Sequence, residues 1–191
     1  MIITKRRIVS ILFIALAPAL SPSVWGQQNR TVNDGDWNTY YGGDFAHRYS
    51  PLDQINAENV ADLELAWSWS TENFGTTIDY ANPSTPLEIN GVLYANIANT
   101  RNVAAIDATS GQVLWLYRYD EGARFDEAPR KGPGRGVAFY NNGDKQRVID
   151  VSPGYQLVSL DATTGIPDPT FGDNGKVDLY VGVRNGDDPR Y

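Results

Sequence analysis

The sequence predicts an all-β fold of repeated four-stranded sheets, of the β-propeller kind. Three observations carry this. Ala105-Ile106-Asp107-Ala108-Thr109-Ser110-Gly111 returns in register as Ser159-Leu160-Asp161-Ala162-Thr163-Thr164-Gly165, 54 residues later. Around both copies, short apolar runs alternate with turn residues at a spacing of about 8–12 residues. The 191 residues include 18 glycines, 11 tyrosines and 5 tryptophans, the composition expected where tight turns join sheets that pack through aromatic rings. A sheet unit recurring at about 50 residues marks a radial or stacked array.

The elements follow in chain order. Residues 1–26 differ in kind from the rest: Lys5, Arg6 and Arg7 precede an apolar run over 8–20, Pro22 breaks it, and Val24 and Gly26 suit a signal-peptidase site. The run is too short for a membrane span, which needs about 20 apolar residues. It reads as a cleaved secretory signal, with an uncleaved N-terminal anchor as the alternative, and the mature chain, 27–191, has no span. Removing three basic residues leaves 13 against 23 acidic ones and takes the net charge from -7 to -10. Export without a single cysteine points to a periplasmic or secreted protein held together by packing alone.

Residues 36–50 read as an ordered loop rich in Gly, Tyr and Asp. Residues 56–62 read as one helical turn capped by Asn56. Over 63–70, Leu63, Leu65, Trp67 and Trp69 alternate on one face, the pattern of a half-buried strand. Strands are expected over 91–96, 102–107 and 112–119 around the first repeat copy, and over 136–140, 147–152 and 156–161 around the second. Trp115, four residues after Gly111, should lie on a strand and pack against a neighbouring sheet. After Gly165, Pro167 and Pro169 forbid a regular strand, and 176–181 takes its place.

Several functions are excluded. Without cysteine there is no thiolate metal site or cysteine nucleophile, and the single His47 rules out a multi-histidine cluster. His47 has no partner pattern and reads as a surface or structural residue. The acidic balance argues against nucleic acid, whose phosphates need clustered Lys and Arg. Residues 132–136 are glycine-rich but lack the Lys-Ser/Thr of a phosphate loop. Asp173-Asn174-Gly175 lacks the ligand spacing of a calcium loop and reads as a turn.

Asp36-Trp37, Tyr41-Gly42-Gly43, Arg48-Tyr49-Ser50-Pro51-Leu52, Gln54-Ile55-Asn56, Leu65-Ala66-Trp67, Thr85-Pro86-Leu87, Arg135-Gly136-Val137-Ala138 and Phe171-Gly172-Asp173-Asn174-Gly175-Lys176-Val177-Asp178-Leu179 stand in an order of their own. In that order the chain strongly resembles the N-terminal region of the pyrroloquinoline quinone (PQQ)-dependent dehydrogenases. The last stretch looks most like the membrane-type glucose dehydrogenase branch. The resemblance implies about two blades of an eight-bladed quinoprotein propeller, locked by tryptophan-containing repeats. It also implies PQQ with Ca²⁺ on the axis and oxidation of an alcohol or sugar hydroxyl, with electrons passed to a respiratory acceptor, a quinone or cytochrome c. The calcium ligands and the catalytic aspartate are expected beyond Tyr191, and two blades alone should be unstable and inactive. A non-catalytic periplasmic binding module or outer-membrane assembly scaffold sharing the repeat is the competing reading.

Two residues are candidates for cofactor contact on this resemblance. Arg135 offers a guanidinium fork suited to the PQQ carboxylates; its alternative is an ordinary solvated arginine. Ser152 offers a hydroxyl near where relatives place one, or else forms the turn before Pro153-Gly154. Pro83 stands where many relatives have a glutamate, which puts part of the usual quinone contact in doubt.

Overall fold

The computed structural model describes residues 35–43, 45–68, 70 and 83–182. The expected signal over 1–26, Trp69 and the chain from 183 onward lie outside the described residues.

Eight strands form two four-stranded antiparallel sheets. The first has the order β1 (Leu87–Ile89), β2 (Val92–Ile97), β3 (Asn102–Asp107), β4 (Val113–Tyr117). The second has the order β5 (Ala138–Asn141), β6 (Gln146–Val151), β7 (Gln156–Asp161), β8 (Lys176–Asp178). Each sheet is a meander in which every strand pairs with its successor in sequence, the topology of a propeller blade.

The six strands expected around the repeat copies are present. A register shift between Ala105 and Ile106 marks a bulge in the β3–β4 pairing. β1 carries too short a run to stand out in sequence. It is paired to β2 on one side and to Trp37 on the other, through Trp37 N–H to the Glu88 carbonyl at 2.7 Å and the reverse bond at 3.0 Å. Pro167 makes only an isolated bridge to Leu160, and β8 pairs with β7 instead, as the prolines require.

Two expectations are corrected. Residues 63–68 form no strand: Leu63 and Leu65 are 58% and 82% exposed, and no described strand lies beside them to accept their backbone groups. Alternation there sets which side chains share a face but supplies no pairing partner. The helical turn over 56–62 shrinks to a 3₁₀ turn, Val60–Asp62, although the Asn56 side chain does accept the Glu58 N–H at 2.9 Å as a cap would.

The repeated motif has one physical form in both copies. Asp107 Oδ1 accepts the Thr109 and Ser110 N–H groups at 3.1 and 2.7 Å and the Ser110 hydroxyl at 2.8 Å. Asp161 Oδ1 accepts the Thr163 and Thr164 N–H groups at 3.0 and 2.8 Å and the Thr164 hydroxyl at 2.9 Å. The Ser110 hydroxyl and backbone bonds hold the Asp107 carboxyl below the usual carboxylate range. Gly111 and Gly165 end the turns at φ 74° and 69°. Each lies under an indole ring: a Cβ on Gly111 would stand 2.6 Å from Trp67, and one on Gly165 2.6 Å from Trp115. The same indoles donate Nε1–H to the carbonyls of Ala108 at 3.0 Å and Ala162 at 2.9 Å. Trp115 therefore docks the first sheet onto the second, and Trp67 docks the preceding segment onto the first in the same way.

Between the sheets lies a core of Leu87, Tyr94, Val103, Val148, Val158 and Leu160, with Trp115 and Phe139 packed against it. Full burial of each aliphatic side chain contributes about 1.5–3 kcal/mol. The opposite face of the first sheet buries Ile97, Ala104 and Ile106 beneath Trp67 and Leu116.

Candidate functional site

The loop into β5 is drawn against the first sheet by two glycines. A Cβ on Gly136, at φ 136°, would meet the Thr85 carbonyl at 2.7 Å, and one on Gly134 would meet Asn96 Oδ1 at 2.5 Å. The Thr85 N–H to Arg135 carbonyl bond at 3.0 Å ties the loop to the strand leading into β1. Between them, Arg135 projects as an exposed side chain into a groove of about 420 Å³ lined by Tyr40, Arg101, Arg135, Asp150, Val151 and Leu157. Its guanidinium makes no hydrogen bond or ion pair with any described residue.

Arg101, in the β2–β3 turn at φ 56°, crosses to the second sheet. Its Nη1 donates to the Val151 carbonyl at 3.1 Å and its Nε to the Gly132 carbonyl at 3.3 Å. Both acceptors are neutral, so the cation keeps its charge facing the groove. Behind it, Asp150 is 6% exposed. Its Oδ2 accepts from Asn96 Nδ2 at 2.9 Å and from the Tyr119 hydroxyl at 2.8 Å. Burial raises the Asp150 carboxyl to about 6 against the opposing pull of Tyr119, the Val151 N–H, Arg101 and Asn96. Burial, and then the Asp150 charge, push the Tyr119 phenol upward, so it stays a neutral donor.

Ser152 stands apart from this lining. It is buried at the end of β6, where its hydroxyl donates to Glu121 Oε1 and accepts the Gln156 N–H at 2.9 Å. Glu121 Oε2 also accepts the Gly154 N–H at 2.9 Å, so the pair fixes the β6–β7 turn. Pro83 is exposed and offers no donor to the groove. His47 is exposed and stacked on Phe45 at 5.7 Å, and Asp173-Asn174-Gly175 is a tight turn closed by Asp173 and Lys176. Among the described residues no three His, Cys, Asp or Glu side chains gather to hold a metal ion, and no helix is long and apolar enough to cross a membrane.

Sequence reasoning missed Arg101, Asn96, Tyr119 and Asp150. A signal existed for two of them: Asn96 and Asp150 occupy the same repeat position 54 residues apart, each a polar residue inside an apolar strand run.

Residues 37–191 match the family model described as PQQ glucose/ethanol/alcohol dehydrogenase, beta-propeller domain. The chain belongs to this family. The dehydrogenase subunit of alcohol dehydrogenase (quinone) from Gluconobacter oxydans (strain 621H) is 34% identical over 173 residues, 85% of this chain and 22% of that protein. Quinoprotein glucose dehydrogenase of the same organism is 32% identical over 168 residues, 78% of this chain and 20% of that protein. Among solved structures, quinohemoprotein alcohol dehydrogenase from Comamonas testosteroni aligns with a TM-score of 0.58 at 30% identity, covering 80% of this chain and 20% of that one. The chain thus spans about a fifth of the length of these relatives. The two sheets are quinoprotein propeller blades, and identity alone does not separate the alcohol from the glucose type.

The residues present fit PQQ. Two guanidinium groups, one of them without a partner among the described residues, line a groove whose volume lies in the range of small-molecule sites, and they match an aromatic tricarboxylate in charge and hydrogen-bond type.

Proposed function

We propose that this chain supplies part of the cofactor site of an exported, periplasmic quinoprotein dehydrogenase that oxidises an alcohol or sugar hydroxyl and passes electrons to a respiratory acceptor. The single observation that carries the reading is Arg135, an unengaged guanidinium held at the groove by Gly134 and Gly136 in a chain of this family. PQQ, when bound, supplies the two-electron acceptor chemistry. Arg135 would hold one of its carboxylates bidentately, and Arg101 would add positive charge from the next turn. Ser152 would donate to the cofactor only by giving up its bond to Glu121, so its contribution is the smaller of the two. Tyr119 and Asn96 keep Asp150 in place behind the groove. Ca²⁺ would bind through residues other than a carboxylate cluster of the described chain.

The test, made on the complete propeller that contains these two blades, is PQQ titration followed by dye-linked dehydrogenase assays with ethanol, glycerol and glucose in the presence of Ca²⁺. PQQ-dependent turnover of at least one substrate is expected. Arg135→Gln should weaken PQQ binding about 10–100-fold, the loss of a charged hydrogen-bonded pair. Unchanged PQQ affinity in that variant, or no PQQ binding at all, would overturn the reading.

A further inference from the structure

Asp150 is a buried acid that the dehydrogenase reading does not use. It sits on β6, where the inter-sheet core gives way to the groove, and its surroundings can be named from every side. β2 presents Asn96, and the segment after β4 presents Tyr119 with Glu121 beyond it. The β2–β3 turn presents Arg101, and the loop before β5 presents Arg135 across the groove. Arg101 is anchored on the carbonyl of Val151, the residue next to Asp150, and has no carboxylate partner of its own among the described residues. Asp150 is therefore the acid that offsets the positive charge of this groove from within, since the Glu121 carboxylate is bound to Ser152 and the Gly154 N–H.

We propose that Asp150 is a positioning residue that sets the anion affinity of the groove: ionised it offsets Arg101, and protonated it leaves two guanidinium groups to act on a bound polycarboxylate, which then binds more tightly. The inference rests on the cofactor reading above and adds to it a proton taken up with the ligand. The sign follows from linkage. An anion placed beside Arg101 and Arg135 repels the Asp150 carboxylate and favours its protonated form, and protonation reciprocally favours the anion. Burial has already brought the group to about 6, within reach of that change. Asn96 and Tyr119 hold either form: the Asn96 amide and Tyr119 hydroxyl donate to the carboxylate, and Oδ2 of the protonated acid still accepts from them. Tyr119 stays a neutral donor between pH 5.5 and 8, and the carboxylates of PQQ, ordinary for their kind, are ionised throughout. His47 is the one other side chain of the sequence whose ordinary range falls in this window.

The test measures PQQ affinity by fluorescence titration at steps from pH 8.0 to 5.5, in the chain as its gene encodes it and in Asp150→Asn and His47→Gln. Wild type should tighten about three- to tenfold toward low pH, the scale of one charge removed near an anion at intermediate dielectric. Asp150→Asn, which resembles the protonated acid, should bind at pH 7.5 as wild type does at pH 5.5 and show no slope. His47→Gln should keep the wild-type slope. A slope retained in Asp150→Asn or lost in His47→Gln overturns the inference, as does pH-independent binding by wild type, which leaves the cofactor reading standing. Absence of PQQ binding at every pH instead defeats the cofactor reading and this inference with it. Where Asp150→Asn does not fold, the wild-type and His47→Gln slopes decide between Asp150 and His47 as the source of the pH dependence.

Discussion

The two blades share a repeat and differ in what covers them. In the first sheet β3 is buried along nearly its whole length, because Val103 and Ala105 face the second sheet while Ala104 and Ile106 face Trp67. In the second sheet the counterpart strand β7 buries Val158 and Leu160 toward the first sheet and only Ser159 on the opposite face. Ile149, Val151 and Leu157 on that other face are only half-buried. The Asp-Thr-Gly turn, the indole on its glycine and the meander are the same in both. A blade is thus specified by its own turn but completed by its neighbours, as in other repeat arrays where interface terms carry much of the stability.

The comparison can be broken most forcefully at Trp115. Trp115→Ala removes the ring that joins the two sheets and should cost about 3–5 kcal/mol by denaturant unfolding. Trp115→Phe, which keeps ring packing but loses the bond to the Ala162 carbonyl, should cost about 1 kcal/mol more than the ring exchange alone. Equal losses in the two variants would show that the hydrogen bond, not the packing, joins the blades.

Next in size is the pH response of the buried acid. The folded pKa of Asp150 lies above its ordinary value, so the native state binds the proton more tightly than the unfolded chain. Its ionisation then costs stability, at most about 3 kcal/mol, fully expressed above pH 6 and absent below the unfolded value near 4. Melting temperatures measured from pH 7.5 to 4.5 should show this gain on acidification in wild type and its absence in Asp150→Asn.

Gly111→Ala and Gly165→Ala sharpen the likeness of the two turns. Each forces a left-handed residue and displaces an indole, so each should cost at least about 1–2 kcal/mol. Nearly equal losses would show that Trp67 docks as firmly from its extended segment as Trp115 does from a strand. A much smaller loss at Gly111 would show that a docking ring needs a paired strand behind it.

The smallest effect is expected at the second link between the blades. Arg124 holds Asp178 of β8 through two bonds of 2.7 and 2.6 Å while its Nε reaches the Gly154 carbonyl. Both side chains are partly exposed, so Asp178→Asn should cost at most about 1 kcal/mol at pH 7. Arg124 holds the Asp178 carboxyl down at about 2, so this stabilisation is present above about pH 4 and disappears as pH falls through 2, opposite in sign to that of Asp150. Paired melts of the variant and wild type at pH 7 and pH 2 give the sign directly.

Local chemistry made much of this molecule legible. The Asp-Thr-Gly turn is written in residues within five positions of one another, and alternating apolar runs located the six strands of the two repeat copies. The same reasoning failed over 63–68, where alternation is present but no strand stands alongside. It also singled out Ser152 for its hydroxyl, which the fold spends largely on Glu121 and Gln156. Arg135 stood out through the resemblance, which places an arginine before Gly136-Val137-Ala138. Arg101 did not, because an arginine in a turn of Asn and Thr looks like any solvated cation until the second sheet places a carbonyl opposite it.

The sequence by itself determined the repeat, the turn chemistry and the family, because each rests on contacts between residues near in the chain or on the order of motifs along it. Only the tertiary structure decided which tryptophan covers which glycine, which arginine is left unengaged, and that Asn96 and Asp150 meet across the sheets. Those outcomes depend on burial and on bonds between groups tens of residues apart. A pattern read along the chain names the candidates for such bonds, and packing one blade against the next selects among them.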